Sequence, residues 1–302
     1  MTEYALSMNL DVYRHVLAGE SQTFVLPLRA FWRLSGPDSL RYLNGQVTND
    51  IALLKDGGAC YAAVCTAKGR MEGDVHIARH GNDFFLDASE TLQESLGARL
   101  EKYLIADDAT FEDVTGSWKL SHVFGPVAPT IPETAFVIAN PRFGLPGHDV
   151  WNSGANPVIV GETVEADVIE TLRLEHAIPL WGTELTANTL PPEAGPRMLE
   201  AISYTKGCYV GQETIARLKS VGHVNRTLVL LQSGSETFPS PETKLTQGDR
   251  EIGTVTSAGF SPRLDKGIAL AYVQRQAAEE GTALQAKNLD LTVIAPLSAA
   301  KS

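Results

Sequence analysis

The sequence predicts an α+β protein that ends in a small antiparallel β-barrel, and three observations carry this. Segments with a helical apolar period, at Leu92-Leu96-Leu100 and at Val168-Leu172, alternate with short β-type runs. The runs between Ala59 and Asp87 are joined by Ala67-Lys68-Gly69-Arg70 and His80-Gly81-Asn82-Asp83, both turn sequences suited to hairpins. From about residue 224 the chain holds only short β-type runs separated by Gly, Pro and Asp. This divides it into a body over residues 1–223 and a barrel over residues 224–302.

In chain order, residues 23–34 contain a strand that stops at the Ser35-Gly36 turn. Pro37 suits the first turn of a short helix over residues 38–46, with Leu40 and Leu43 on one side. Asn49-Asp50 is a further cap. Strands over 60–66, 71–79 and 84–87 make an antiparallel meander. Ser89 then caps a helix in which Leu92, Leu96, Leu100 and Tyr103 recur at helical spacing, the Leu series being core, while Glu94, Arg99, Glu101 and Lys102 face water. Strands follow within 111–124 and 134–140, with prolines 126, 129 and 132 between them. A helix over 164–175 is expected to be capped by Thr163. Glu175 continues its apolar stripe, so it either points inward to a partner or is solvated beside Arg173. Residues 185–205, with Pro191, Pro192 and Pro196, read as an irregular segment. Strands over 227–232, 250–256, 266–273 and 290–295 supply the barrel.

Composition narrows the function. Hydrophobic residues are 43% and charged residues 20% of 302, with no apolar run of membrane-spanning length. Residues 1–20 carry Glu3, Asp11 and Glu20 rather than a basic start and an apolar core, so no secretory or transit signal is expected and the protein is placed in the cytoplasm. Three cysteines without paired spacing suit a reducing compartment. The seven histidines are scattered, so no intrinsic metal is expected. A net charge of −11 argues against a broad nucleic-acid surface, and an anionic small molecule would need a local cluster of Arg and Lys. P-loop, dinucleotide and Gly-x-Ser-x-Gly patterns are absent.

The stretch richest in chemistry is Lys206-Gly207-Cys208-Tyr209-Val210-Gly211-Gln212-Glu213. Its glycines permit left-handed backbone or close approach to a ligand. If a helix begins near Val210 or Gly211, Cys208 lies just before a positive helix end with Lys206 two residues away, and both favour thiolate. The same cysteine could instead be an inert member of a glycine-bounded turn. A Cys–His hydrolase would need His176 or His223 as its base.

This stretch resembles the signature of the YgfZ-type folate-binding proteins, relatives of the glycine-cleavage T-protein, an aminomethyltransferase. The resemblance extends through Ser35-Gly36-Pro37-Asp38, Leu43-Asn44-Gly45-Gln46-Val47-Thr48-Asn49-Asp50, Ala67-Lys68-Gly69-Arg70, Leu172-Arg173-Leu174-Glu175 with Gly182, and Gly253-Thr254-Val255-Thr256-Ser257-Ala258. It implies an aminomethyltransferase-like α+β fold, with a ferredoxin-like portion and a C-terminal antiparallel β-barrel around a central folate channel. It implies tetrahydrofolate or a one-carbon derivative as ligand. Glu175 would bind the pterin ring, Tyr209, Gly207, Gly211, Gln212, Glu213 and Arg217 would also bind the cofactor, and Arg70, Arg197, Arg217 or Arg226 would meet the folate tail. Cys208, helped by Lys206, would be the functional thiol. Where the aminomethyltransferases carry adjacent aspartates, this chain has Gly73-Asp74, which leaves Asp74 as the single acid. The implied role is support of iron–sulfur enzymes and, through them, tRNA thiomodification, with iron–sulfur client or assembly proteins as partners, no direct nucleic-acid contact and no membrane. The alternative is a folate-dependent aminomethyltransferase of the glycine cleavage type.

Overall fold

The computed structural model describes residues 8–220 and 222–298. All strand pairing within its sheets is antiparallel. Five strands form the first sheet: β2 (Arg29–Ser35), β3 (Ala59–Cys65), β4 (Met71–His80), β5 (Asp83–Ser89) and β6 (Thr110–Asp113), in the order β3-β4-β5-β2-β6. One face of this sheet packs on α2 (Ser39–Gln46) and α3 (Gln93–Lys102). Leu92, Leu96 and Leu100 fill that layer with Val64, Val75 and Ile77, as their spacing predicts.

The other face meets a second sheet through Phe31, Phe85, Phe136 and Trp151. Its strands are β1 (Thr23–Val25), β7 (Lys119–Phe124), β8 (Ala135–Ala139) and β9 (Gly147–Asn152), in the order β1-β7-β9-β8. Under it lie α1 (Leu10–Leu17) and α4 (Ala166–Glu175), which bury Val12, Tyr13, Val16, Val168 and Leu172. Helices α5 (Gly195–Glu200) and α6 (Gln212–Ser220) follow. A closed barrel then runs β10-β13-β12-β11-β14-β15, from β10 (Arg226–Ser233) through β11 (Lys244–Gln247), β12 (Arg250–Ser261), β13 (Lys266–Gln274) and β14 (Ala283–Ala286) to β15 (Leu289–Ile294). Closure leaves it no unpaired edge.

Several elements differ from the sequence reading. The 8–20 region holds α1, whose cap Asn9 accepts a hydrogen bond from the Val12 amide at 3.2 Å. Residues 111–124 are two strands, because the Thr115-Gly116 turn separates β6 from β7. Thr163 does not cap α4. It bridges to Thr23, and the Val164 amide donates to the Thr23 carbonyl, so the helix starts two residues later. The irregular segment contains α5, and β9, β11 and β14 lie in stretches that carried no strand expectation. Among the described residues no helix is long and apolar enough to cross a membrane.

Candidate functional site

A cavity of about 250 Å³ lies where β3, β4, the chain before β2 and α4 converge. Alternation along β4 builds its floor. Gly73, Val75 and Ile77 face the helices, and Asp74 and His76 therefore face the other way, into the cavity. Tyr61 lies opposite His76 in the β3–β4 register and donates to Asp74 Oδ2 at 2.8 Å. Asp74 Oδ1 is buried and has no partner. Apolar walls come from Phe24, Leu26, Phe143, Ile169, Ile178 and Leu180. Arg173, also lining the cavity and buried, forks onto Glu170 with two 2.7 Å bonds, and the Arg197 guanidinium sits 5.9 Å from the Tyr61 ring centre.

A buried charge lattice adjoins the floor, and two of its members, Arg29 and Arg142, also line the cavity. Arg142 reaches Asp87 at 2.7 Å and Asp149 at 2.6 Å, tying β5 to β9, and Arg29 adds a 2.5 Å contact to Asp87. Burial alone would raise both carboxyls, but Arg142 overrides it. With Arg29 it holds Asp87 below the usual carboxylate range, and with His122 it holds Asp149 well below that range. The same environment acts on His76. Burial, then Arg142 and Arg29, push its pKa well down, so the ring is neutral near pH 7. Asp74 moves up, mainly through burial, with Arg29 and Tyr61 opposing.

The residues singled out by sequence are distributed differently. Glu175 does point inward and is fully buried, but it faces α1 and the barrel, away from the cavity. Its Oε1 accepts from Tyr13 at 2.7 Å and Ser261 at 2.5 Å, and Oε2 lies 3.9 Å from Arg263. The reason is helical phase. Ile169, Glu170 and Arg173 line the cavity, whereas Val168, Leu172 and Glu175 occupy another face of α4.

Lys206 is turned away from Cys208. Its ammonium donates to the carbonyls of Asn44 at 2.6 Å, Val47 at 2.9 Å and Asn49 at 2.6 Å, and burial draws its pKa down to about 8. It thus stitches its own loop to the end of α2, as does the Val210 amide on the Gly45 carbonyl at 3.1 Å. Cys208 is exposed on this loop, four residues before α6 begins, farther from the helix end than the sequence suggests. Tyr209 packs in an apolar core with Tyr61, Cys65 and Ile215. Gly211 takes φ 88° against the Thr66 carbonyl, where a Cβ would lie at 2.6 Å. Gln212 stands 3.5 Å from the Lys206 and Gly207 carbonyls, and Glu213 and Arg217 face solvent.

None of Glu175, Gly207, Tyr209, Gly211, Gln212, Glu213 and Arg217 lines the cavity. Of the four tail arginines, Arg197 does. Arg226 instead joins Glu193 at 3.2 Å, and Arg70 donates to the Asn188 carbonyl. Among the described residues no hydrogen bond joins Cys208 to His176 or His223, and the His176 ring is packed against Gly144. Gly73 also differs in meaning. A Cβ there would lie 2.9 Å from Leu96 and 3.1 Å from Leu92, so this position serves the helix layer, and the acid that remains, Asp74, is the one on the cavity. Sequence reasoning missed Tyr61, His76, Glu170 and Arg173 as cavity residues. The alternation Gly73-Asp74-Val75-His76-Ile77 was the signal for the first two, since it sets two polar side chains on one strand face.

Comparison with known proteins adds the lineage. The GCVT N-terminal domain matches residues 30–143, and the glycine cleavage T-protein C-terminal barrel domain matches residues 226–299. A tRNA-modifying protein YgfZ from Cronobacter sakazakii is 29% identical over 271 residues, 80% of each chain. An aminomethyltransferase from Halalkalibacterium halodurans is 28% identical over 287 residues, 82% of this chain and 77% of the relative. In structure, the glycine cleavage system aminomethyltransferase T from Bartonella henselae superposes with a TM-score of 0.79 over 94% of this chain and 88% of that one, at 21% identity, so the two share a fold.

Proposed function

The chain belongs to the glycine cleavage T-protein superfamily, and from that premise we propose that it is a tetrahydrofolate-binding factor of the YgfZ type, acting in support of tRNA modification. The observation that carries the reading is the cavity. It joins apolar walls wide enough for an aromatic ring system to one buried, unpaired carboxylate oxygen, Asp74 Oδ1, with Arg197 at the rim. An aminopyrimidine edge supplies N–H donors for such an oxygen, and a glutamate tail supplies a carboxylate for a guanidinium. Tetrahydrofolate fits this donor set. Bound there, it would supply one-carbon chemistry, while the chain's residues hold it, orient it and keep water away.

Cys208 is the second part of the proposal. Exposed on a loop fixed by Lys206 and Val210, it is presented to a partner rather than to the cavity, which suits contact with an iron–sulfur client or assembly protein. Calorimetric titration with tetrahydrofolate tests the first part. The parent and Cys208→Ala are expected to bind alike, and Leu180→Trp, which places an indole at the mouth, to bind at least about tenfold more weakly. No heat with the parent would sink the folate reading, and full affinity in Leu180→Trp would move the site elsewhere.

A second reading, aminomethyl transfer, is favoured by one specific observation: the acid lost at Gly73 faces the helices, and the acid on the cavity is retained. It predicts ammonia release from an aminomethyl-lipoyl carrier in the presence of tetrahydrofolate, abolished in Asp74→Asn.

A further inference from the structure

The floor of the cavity presents two unlike hydrogen-bonding groups side by side. Asp74 and His76 stand on one face of β4 two residues apart, roughly 7 Å along the strand. Tyr61 occupies Asp74 Oδ2, which leaves Oδ1 as an acceptor. The imidazole is fixed as well. Its Nδ1 faces the Asn140 amide nitrogen at 3.4 Å, and that nitrogen is identified as a donor by its 2.7 Å bond to Asp149 Oδ2. With Nδ1 accepting, a neutral ring on the cavity wall carries its proton on Nε2. Burial and the two guanidiniums of Arg142 and Arg29 keep the ring neutral, so this assignment holds at physiological pH. The ring is also packed against Tyr61, centroids 4.8 Å apart.

We propose that Asp74 and His76 together read the lactam edge of a pterin, Asp74 Oδ1 accepting from its N–H groups and His76 Nε2–H donating to its 4-oxo oxygen. This deepens, and rests on, the tetrahydrofolate reading given above. It makes His76 a specificity-determining residue, because a 2,4-diamino pteridine would set a donor against the donor on Nε2. A buried donor left facing another donor loses its hydrogen bond without compensation from water. The site therefore takes 4-oxo folates and discriminates against their 4-amino counterparts.

The test is a pair of anaerobic titrations of the full chain, with tetrahydrofolate and with its 4-amino counterpart, for the parent, His76→Phe and His76→Gln. The parent is expected to favour tetrahydrofolate by roughly tenfold or more. His76→Phe keeps a ring against Tyr61 but lacks the N–H, so its preference falls to near one, while His76→Gln retains a donor and part of the preference. Equal affinity of the parent for the two ligands overturns the inference and leaves the folate reading intact. So does a preference that survives in His76→Phe. If His76→Phe fails to fold, the parent's ratio decides alone. Binding of neither ligand by the parent overturns the folate reading and this inference with it.

Discussion

Gly73 illustrates how a single missing side chain is read differently in sequence and in space. In sequence its lack of a carboxylate looks like a lost catalytic group. In the structure the position is filled to contact by Leu92 and Leu96, so Gly73→Asp is expected to destabilise the fold by about 3 kcal/mol or more, through a charge forced into an apolar layer. Urea unfolding at pH 7 checks this, and a variant as stable as the parent would mean that the side chain escapes to the cavity. Lys206 makes a second residue-scale case. Three ammonium protons meet three carbonyls, and Lys206→Met is expected to cost on the order of 3 kcal/mol while leaving Cys208 chemically intact. Faster hydrogen exchange at residues 205–211 in that variant would report the released loop. Sequence adjacency suggested that Lys206 tunes the thiol, whereas the folded loop uses it as a tether.

At the scale of elements, legibility followed periodicity. The Leu92-Leu96-Leu100 stripe, the meander of β3 to β5 and the barrel's long strands were readable because their apolar residues recur at the period of the element. α1 was readable in principle from the Asn9 cap and the Val12-Tyr13-Val16 pattern, but residues 1–20 were read for a leader and not for a fold. The cavity was only half legible. Asp74 and Arg197 stood among the residues named from sequence, while Glu175, named for the pterin ring by family pattern, lies on another face of α4 from the cavity residues. Pairing of distant carboxylates through Arg142 has no local signature at all, since Asp87, Arg142 and Asp149 meet only after two sheets have stacked. Arg142→Met should therefore remove more stability than most core truncations, about 3–5 kcal/mol, by stranding two buried carboxylates. A midpoint in urea close to the parent's would show that Arg29 and His122 suffice.

For the whole molecule, the buried histidines set the acid limit. Burial, with Arg263 and Arg197, lowers the His176 pKa from 6.5 to about 4, so the folded protein refuses a proton that the unfolded chain accepts. The stabilisation is complete above pH 6.5 and is lost as pH falls towards 4, amounting to about 3 kcal/mol at most. Asp87 and Asp149, whose pKa values are depressed, add their losses only below the ordinary carboxylate range. Unfolding free energies measured between pH 7 and pH 4.5 should fall more steeply for the parent than for His176→Gln. Identical slopes would assign the acid sensitivity over this range to the other buried histidines, His76 and His122.

The charge lattice around Arg142 has a kinetic meaning too. Because it clamps β5 to β9 at the wall that Arg29 and Arg142 line, that wall of the site cannot part without stranding charge. Such a site is a socket and not a jaw. On that side encounter is then set by diffusion and orientation, and the lifetime of the complex by the bonds broken on leaving.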